Sequence, residues 1–568
     1  MDTINRLLFG AENKFETVLK DVVNKENDAK RAAKLKKLEN NEKLYKDVTN
    51  VHLYMRDCTI DTAVPIKGVV EGTIPTWLNG ALFRNGPGKR SFGDMRTQHA
   101  FDAAALLRKF TIKDGKVTFQ SKFLKSVMFT KNTEAQRIVM GEFGTAATDD
   151  PCKSIFRRFA SYFEKSEPTD NCLVTVYPYN DELYALTETV MIHRVDKQTL
   201  DSIRRVNLKD HISIVHHTAH PHLDEDGTVF NLGMVAGRGG VEYAIMEFPN
   251  TKRGTPKSKD VFADGKIAAK VPVRWRMSPC YMHSFGMSPN YFIVIEQPLG
   301  ISAASMMIGK LTKKPAADSL IWYNEPTLIH VLSRETGQLV RTFEAEPFGF
   351  FHTINQFEEN GQVILDVCAY KDLADLNSLT EQRIEKFQED MKFDEGVGRP
   401  VRYVCPINPP QKEGNLVNLK GSTAKAVWCR GKIQVTAEIL LEKSCDMPRI
   451  HYEKYNGKNY RYFYCFSMDC SPKTPMPIEK VDIQTKTSIS WSEENVIPSE
   501  PIFVPNPRAE KEDDGVVLSS LLYTDNEKKI TLLVLDAKDM TELARADFET
   551  EASNPADFHG WYLNEGEL

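Results

Sequence analysis

Short strands joined by tight turns recur along most of this chain, and they restrict it to an all-β architecture. Phe110–Ile112 and Lys116–Phe119 flank Asp114-Gly115, a dipeptide typical of hairpin turns in which both central residues take positive φ. The same kind of dipeptide precedes apolar or alternating runs at residues 226–227, 360–361, 456–457 and 514–515. Hairpins that continue from residue 110 to 535 with few helical stretches indicate a propeller or several sandwiches.

Composition excludes several classes of protein. Of the 568 residues, 41% are hydrophobic and 10% aromatic, which is enough to build a substantial core. A formal net charge of −5 argues against a nucleic-acid partner. No apolar run approaches the length needed to cross a bilayer. Ten cysteines without a C-x-x-C pair indicate reduced thiols, so a cytoplasmic protein is expected.

The N-terminal segment differs from the rest of the chain. Residues 1–50 include KENDAKRAAKLKKLENNEKLYK, a charge-dense stretch with few large apolar side chains. We interpret this segment as an extension that is helical or partly disordered, without chemistry of its own. Residues 51–568 are expected to form a single domain.

Two stretches have the pattern of helices. In 378–391, Ile384, Phe387 and Met391 share one face. In 151–165, apolar and aromatic residues share one face and basic residues lie off it, as in an interfacial helix. The pattern alone favours the other interpretation, a helix packed on the β core.

Three histidines occupy similar places in successive β units. His220, His283 and His352 each follow apolar or small residues and precede a turn and a strand, at intervals of 63 and 69 residues. His559 lies 207 residues beyond His352, which is three times 69. Repeating units of this size suit propeller blades, whose inner strands converge on a common axis. The four histidines could therefore meet at one point, although spacing alone does not exclude four structural histidines.

Four neutral imidazoles would form a metal site that needs carboxylates behind it. Imidazole nitrogen suits iron, zinc, copper and nickel. The ring N–H of a metal-bound histidine usually donates to a carboxylate, which orients the ring. Glu188 and Glu500 are acids inside apolar or strand-like sequence, as that role requires.

Many ordered segments from about residue 60 to the C-terminus resemble the carotenoid cleavage oxygenase family, and they favour its animal branch. The matching sequence includes GTIPTWLNGALFRNGPG (72–88), FGTAATDDPCKSIFRRF (143–159), AHPH (219–222), HSFG (283–286), PSEPIFVPNP (498–507), EDDGVVLS (512–519) and FHG (558–560). The resemblance implies an all-β, seven-bladed β-propeller with a helical and loop cap over one face. It also implies a non-haem ferrous ion, Fe(2+), on the propeller axis.

The resemblance assigns residues to this centre. Its four metal-ligating and catalytic histidines fall on His220, His283, His352 and His559, and its three outer carboxylates on Glu188, Glu500 and Asp446. Asp446 stands where the family usually has Glu, so a longer or shifted hydrogen bond to its histidine is expected. In FDAAALL (101–107) alanine replaces a common glycine. Octahedral iron with four histidines would leave two adjacent positions open for dioxygen or water, whereas structural zinc is usually closed.

A carotenoid substrate must be taken from a membrane, which changes the interpretation of 151–165. With the resemblance added, we expect peripheral contact with intracellular membranes through this helix, with its rings in the acyl boundary and its arginines near lipid phosphates. The expected membrane-binding residues are Cys152, Ile155, Phe156, Arg157, Arg158, Phe159, Tyr162 and Phe163. Cys152 is a plausible site for a reversible acyl chain, and an unmodified thiol is the alternative.

The resemblance leaves several activities open. The leading hypothesis is oxidative cleavage of a carotenoid by O2 at the central 15,15′ double bond to give retinal, with isomerisation of one half to the 11-cis form as in the invertebrate isomerooxygenases. The alternatives are a retinoid isomerohydrolase acting on retinyl esters, eccentric cleavage of xanthophylls, a non-catalytic carotenoid carrier and a propeller scaffold for protein partners. All four histidines are present, which argues against a carrier that has lost its metal.

Overall fold

A computed structural model describes residues 53–148, 168–237, 240–250, 260–374, 376, 398–467 and 475–568. The N-terminal extension and the two stretches predicted as helices, 151–165 and 378–391, lie outside the described residues. The predicted membrane-binding residues from Cys152 to Phe163 therefore lie outside them as well.

The described strands form seven blades around one axis, which confirms the predicted β-propeller. We number the blades along the chain. Blade 1 contains Ile66–Lys67, Gly80–Asn85, Pro87–Lys89, Ala104–Lys113, Lys116–Phe123 and His559–Asn564. Blade 2 contains Thr175–Tyr179, Glu182–Leu186, Met191–Val195 and Ser202–Asn207. Blade 3 contains His216–His217, His222–Leu223, Val229–Gly237, Gly240–Phe248 and Lys266–Pro272.

The remaining blades follow in order. Blade 4 contains Gly286–Met287, Tyr291–Glu296, Thr327–Ser333, Leu339–Ala345, Lys425–Cys429 and Lys432–Thr436. Blade 5 contains Gly349–Glu359, Gln362–Tyr370, Arg399–Pro406 and Glu438–Ile439. Blade 6 contains Asp446–Arg449, Tyr462–Phe466, Ile478–Asp482 and Thr487–Trp491. Blade 7 contains Val69–Gly72, Val496–Pro498, Ile502–Pro505, Gly515–Tyr523, Lys529–Asp536 and Glu542–Glu549.

A few described elements lie outside the blades. Two small sheets pair Ser91–Phe92 with Met95–Arg96 and Leu299–Ile301 with Leu320–Trp322. The helical segments are Val127–Ala135, Ala303–Thr312 and Tyr452–Tyr455, with 3-10 turns at Leu53–Met55, Leu208–Asp210, Ala316–Ser319 and Glu565–Glu567. Among these helices none is both long and apolar enough to cross a membrane.

Both ends of the described chain take part in closing the ring. The C-terminal strand His559–Asn564 pairs antiparallel with Gly80–Asn85 in blade 1. The N-terminal strand Val69–Gly72 pairs with Glu542–Glu549 in blade 7. Two ladders therefore join the beginning of the propeller to its end.

The central strands of the blades are buried on both faces, so they are apolar runs without alternation. In Lys529–Asp536, Ile530, Leu532 and Val534 pack in a cluster that includes Phe110 of blade 1. Leu533 and Leu535 point the other way and pack with Tyr464 of blade 6. Successive side chains of one strand thus join a blade to both of its neighbours.

The predicted turn type, with positive φ at both central residues of a hairpin, is confirmed at two of its five positions. Asp114-Gly115 and Asn360-Gly361 take positive φ at both residues and join adjacent strands. At residues 226–227 only the glycine does so, and at 514–515 a longer connection leads into the strand. Residues 456–457 end the helix Tyr452–Tyr455 and are not a hairpin, because the short helix satisfies the backbone there.

Two described helices were missed by the hydrophobic pattern. Ser126 caps Val127–Ala135 by accepting the N–H of Phe129, and Ser302 caps Ala303–Thr312 by accepting the N–H of Ser305. A serine in this position is the signal that could have located their first turns. The remaining turns of these helices could not be predicted from the hydrophobic pattern, because both helices are weakly amphipathic and few of their described side chains face the core.

Candidate metal centre

Each blade places one of the seven predicted side chains near the axis. Blades 3, 4, 5 and 1 supply His220, His283, His352 and His559, and blades 2, 6 and 7 supply Glu188, Asp446 and Glu500. The interval of 207 residues between His352 and His559 corresponds to three blade steps, because acids take the two intervening axial positions. The structure thus brings together all seven residues that the sequence analysis singled out.

The four histidines converge on one point. One ring nitrogen from each of His220, His283, His352 and His559 lies within 4.8 Å of the others. The imidazole planes of His220 and His559 are perpendicular, with centroids 4.5 Å apart. This donor set of four imidazoles fits a transition-metal ion.

Three histidines are each oriented by a carboxylate. The distances from Nδ1 to the carboxylate oxygen are 2.5 Å for His283 and Glu188, 2.6 Å for His352 and Asp446, and 2.8 Å for His559 and Glu500. An ionised carboxylate can only accept, so each Nδ1 donates its proton and each Nε2 carries a free lone pair. Carboxylate–histidine pairs of this kind orient metal ligands.

The approach of two of these nitrogens needs a positive charge between them. His283 Nε2 and His352 Nε2 are 3.2 Å apart, and both are acceptors because their protons lie on Nδ1. Two lone pairs at this distance repel each other unless a cation lies between them. His220 Nε2 is buried without a hydrogen-bond partner, which is unfavourable for a polar atom that binds nothing. The histidines therefore fit a bound metal ion.

Burial favours the neutral form of His220 and His559, while Glu500 keeps its charge despite its own burial. Burial, reinforced by the neighbouring histidines, lowers the pKa of His220 well below its usual value. Burial also lowers the pKa of His559 to about 4, although Glu500 opposes the shift. For Glu500, burial alone would raise the pKa, but Arg449 and His559 lower it well below its usual value. Neutral histidines and ionised carboxylates are the protonation states that a metal site requires.

Asp446 replaces the expected glutamate without lengthening its hydrogen bond. The predicted longer contact is wrong, since Asp446 Oδ1 is 2.6 Å from His352 Nδ1. The strand is irregular between Asp446 and Arg449, and Met447 has a φ of 50°. The Met447 N–H donates to Asp446 Oδ1 at 2.8 Å. We attribute the short contact to this local bend, which compensates for the missing methylene.

Tyrosine hydroxyls support two of the acids, and sequence reasoning missed them. Tyr281 donates to Glu188 Oε1 at 3.0 Å, and Tyr370 donates to Asp446 Oδ2. Tyr281 stands two residues before His283, so the alternation of a strand could have suggested that both point to the same side. Tyr370 lies in blade 5, and only the packing of blade 5 against blade 6 brings it to Asp446.

At Glu500, two arginines support the carboxylate, as tyrosines do at Glu188 and Asp446. Arg449 Nε donates to Glu500 Oε1 and Arg84 Nη1 to Glu500 Oε2, both at 2.8 Å. The backbone N–H of Gly560 donates to Glu500 Oε2 at 3.0 Å. Four donors thus fix this carboxylate, and Arg84 is fully buried.

The phenyl ring of Phe351 packs against two of the histidines, and other aromatic rings lie nearby. Phe351 packs edge-on against His283 with centroids 5.3 Å apart, and Phe101 packs edge-on against Phe558 at 5.5 Å. An apolar cluster continues from Phe351 and Tyr281 through Leu299 to Trp322. Three other phenylalanines, Phe348, Phe350 and Phe463, lie in the core between blades.

The alanine that replaces the expected glycine is accommodated without strain. Ala103 is fully buried, and its φ is not positive. Its carbonyl accepts from Asn171 Nδ2 at 2.9 Å. The neighbouring Asp102 accepts the N–H of Gly144 at 3.0 Å and so fastens this turn to the loop that carries Phe143.

The fold and the site define a seven-bladed β-propeller with a four-histidine candidate metal centre on its axis. A family model described as RPE65, retinal pigment epithelial membrane protein, matches residues 55–564. The chain belongs to this family, that of RPE65 and the carotenoid oxygenases. The predicted family membership is confirmed.

Named relatives lie within the animal branch. The chain is 42% identical to carotenoid isomerooxygenase of Galleria mellonella, covering 92% of this chain and 98% of that protein. It is 38% identical to carotenoid isomerooxygenase of Drosophila melanogaster, and the match covers 93% of this chain and 95% of that protein. It is 37% identical to human beta,beta-carotene 15,15′-dioxygenase, and the match covers 88% of this chain and 92% of that protein.

Solved structures share the fold. Cobalt-substituted Synechocystis apocarotenoid oxygenase matches with a TM-score of 0.71 at 22% identity, covering 90% of this chain and 98% of that one. A variant of the same oxygenase matches with a TM-score of 0.72 at 22% identity, and the match covers 92% of this chain and 100% of that one.

Proposed function

We propose that this protein is an iron-dependent dioxygenase that cleaves a carotenoid at its central 15,15′ double bond and isomerises one half of the product. The observation that carries the proposal is a four-histidine centre with the phenyl ring of Phe351 packed against two of its histidines. Relatives that are 37–42% identical over most of their length are named carotenoid isomerooxygenase or beta,beta-carotene 15,15′-dioxygenase. Both oxygen atoms of O2 would enter the product, because one C=C bond is replaced by two aldehyde C=O bonds.

The side chains of this site bind and orient. When bound, ferrous iron would supply the electrons that activate dioxygen. Glu188, Asp446 and Glu500 hold the Nδ1 protons of three histidines and so turn their Nε2 atoms toward one point. The rings of Phe101 and Phe351 offer an apolar surface to a polyene and exclude water.

The test of this proposal is the product pattern. Anaerobically purified protein is loaded with ferrous iron and mixed with β-carotene or zeaxanthin under O2, and products are separated by chromatography. We expect about one iron per chain and two aldehydes of equal length, one of them 11-cis. All-trans aldehydes alone would contradict the isomerase activity, and unequal fragments would indicate eccentric cleavage. An intact polyene with turnover of retinyl esters would indicate an isomerohydrolase.

We further propose a cytoplasmic protein that contacts intracellular membranes peripherally. The eight described cysteines are free, and Cys368 and Cys445 remain thiols with their sulfurs 3.7 Å apart, which supports a reducing compartment. The helix Ala303–Thr312 exposes Met306 and Met307, with exposed fractions of 47% and 68%. Met277, also exposed, accepts the N–H of Ala303 through its carbonyl.

The apolar cluster at the histidines reaches this helix. Ile301, immediately before its cap, and Trp322 belong to the same cluster as Phe351 and Tyr281. The Tyr281 N–H donates to the Leu299 carbonyl at 2.7 Å, which ties the two segments together. A carotenoid that leaves a bilayer at the methionines would thus enter an apolar path toward the histidines.

The membrane contact predicts a loss of vesicle binding in an acidic double variant. Met306→Glu with Met307→Glu should reduce flotation with phosphatidylcholine vesicles by about tenfold, because two charges would have to enter the acyl boundary. Activity toward detergent-solubilised carotenoid should survive. Phe156→Asp with Phe159→Asp tests the segment predicted from the sequence in the same way.

A matched control lies on blade 4. Leu339 and Val340 are adjacent exposed apolar residues on a blade strand, with exposed fractions of 43% and 37%. Leu339→Glu with Val340→Glu should leave vesicle binding unchanged. Equal loss in both double variants would contradict a specific membrane-facing helix.

A further inference from the structure

A buried ion pair lies behind the metal centre and has no role in the proposed chemistry. Arg84 and Asp557 are 0% and 5% exposed, and Arg84 Nε donates to Asp557 Oδ1 at 3.0 Å. Arg84 Nη2 also donates to Asp557 and to the Phe558 carbonyl. Asp557 Oδ2 accepts from Ser520 Oγ at 2.7 Å, so both carboxylate oxygens are engaged.

This pair is one step removed from His559. Arg84 Nη1 donates to Glu500 Oε2, and Glu500 Oε1 accepts the Nδ1 proton of His559. The chain of contacts therefore runs from Asp557 through Arg84 and Glu500 to a proposed metal ligand. Its members come from blade 1, blade 7 and the segment that leads into the closing strand.

The charges explain why Asp557 is needed. Glu500 is shared by two arginines, Arg84 and Arg449, so one buried positive charge would be uncompensated without a second acid. Asp557 supplies that acid. The nearby Arg108 donates to the Pro555 carbonyl and adds positive charge on the same side.

Two glycines let the pair form. A Cβ on Gly560 would lie 2.7 Å from Arg84 Cδ, and a Cβ on Gly86 would lie 2.6 Å from the Asp557 Cα. Glycine at these positions allows the segments RNGPG (84–88) and DFHG (557–560) to approach closely. The packing of both segments thus serves the contact between Arg84 and Asp557.

We propose that Asp557 is a positioning residue for the metal centre, which fixes Glu500 through Arg84 and thereby sets the orientation of His559. Without the carboxylate, Arg84 Nε and Nη2 lose the charged oxygen that accepts from both of them, and the Arg84 side chain can turn away from Glu500. The His559 ring then becomes less well oriented, and the metal ion is held less tightly. Asp557 itself touches neither the metal point nor a substrate.

The test compares metal retention in Asp557→Asn with that in a matched buried pair. The full-length protein is loaded with Co(II) or Fe(II), and the loss of metal to excess chelator is timed. We expect about tenfold faster loss in Asp557→Asn and an altered visible spectrum of the Co(II) form. Asp366 in blade 5 provides the control, since Arg402 Nε and Nη2 donate to it at 2.8 and 2.7 Å away from the histidines.

The outcomes separate a positioning role from a structural one. Asp366→Asn should lower the melting temperature but leave the metal-loss rate and the Co(II) spectrum unchanged. If Asp557→Asn behaves like Asp366→Asn, the inference is overturned. If Asp557→Asn does not fold, Asp557→Glu decides, because it keeps the charge on a longer arm and should shift the Co(II) spectrum; an unchanged spectrum would overturn the inference. An unsubstituted protein that binds no metal would overturn the proposed function as well.

Discussion

Replacing His559 with alanine is expected to abolish metal binding and carotenoid cleavage while leaving the propeller folded. The variant removes one of the four nitrogens that share the metal point, so metal affinity should fall by more than about 100-fold. Glu500 keeps Arg84, Arg449 and the Gly560 N–H as donors, so no buried charge is left unpaired. Metal per chain measured by mass spectrometry and aldehyde formation measured by chromatography check the prediction.

His330 offers a control of the same residue type and similar burial. It is 5% exposed in blade 4 and contacts Thr342 and Glu296, outside the four-histidine cluster. His330→Ala should cost about 1–3 kcal/mol in stability, because it leaves buried polar partners unsatisfied. It should retain its metal. A His559→Ala variant with full metal content would refute the four-histidine assignment.

Replacing Glu500 with glutamine is expected to weaken both the fold and the metal site. Glutamine retains the shape but loses the charge that two arginines share, and breaking a buried ion pair costs about 3–5 kcal/mol. The His559 ring also loses an ionised acceptor, so metal affinity should fall by about 10–100-fold. Denaturant unfolding and timed metal loss to a chelator measure the two effects separately.

Glu479 in blade 6 provides a control that separates the loss of stability from the loss of metal affinity. It is 1% exposed and accepts from Lys443 and Ser490, without a link to a histidine. Glu479→Gln should lower the free energy of unfolding and leave metal loss unchanged. Unaltered metal retention in Glu500→Gln would show that this carboxylate does not orient a ligand.

Local signals predicted the hairpins and indicated that several histidines could meet, whereas the seven-bladed propeller and the full set of axial residues came from the family resemblance. His220, His283 and His352 stand at equivalent points of successive hairpin units, and a propeller brings such points together. Asp446 required the resemblance, since nothing in its own surroundings distinguishes it from other acids.

Contacts that depend on the packing of one blade against another could not be predicted. Tyr370 reaches Asp446 from a different blade, and Arg84 reaches Glu500 across 416 residues. No local period encodes such a distance. The short contact of Asp446 was equally hidden, because it depends on a backbone irregularity at Met447 rather than on side-chain length.

Because the closing strand His559–Asn564 carries the fourth ligand, the metal site is completed late in the synthesis and folding of the chain. A ribosome must have synthesised at least residue 559 before the fourth ligand exists, and that same strand then has to find Gly80–Asn85. Closing so long a loop is entropically unfavourable, and contacts of this kind form slowly. An ion that binds only where blades 1, 3, 4 and 5 meet would favour the closed ring over every open form by mass action. Metal supply would then influence how much of the newly made protein reaches its closed state.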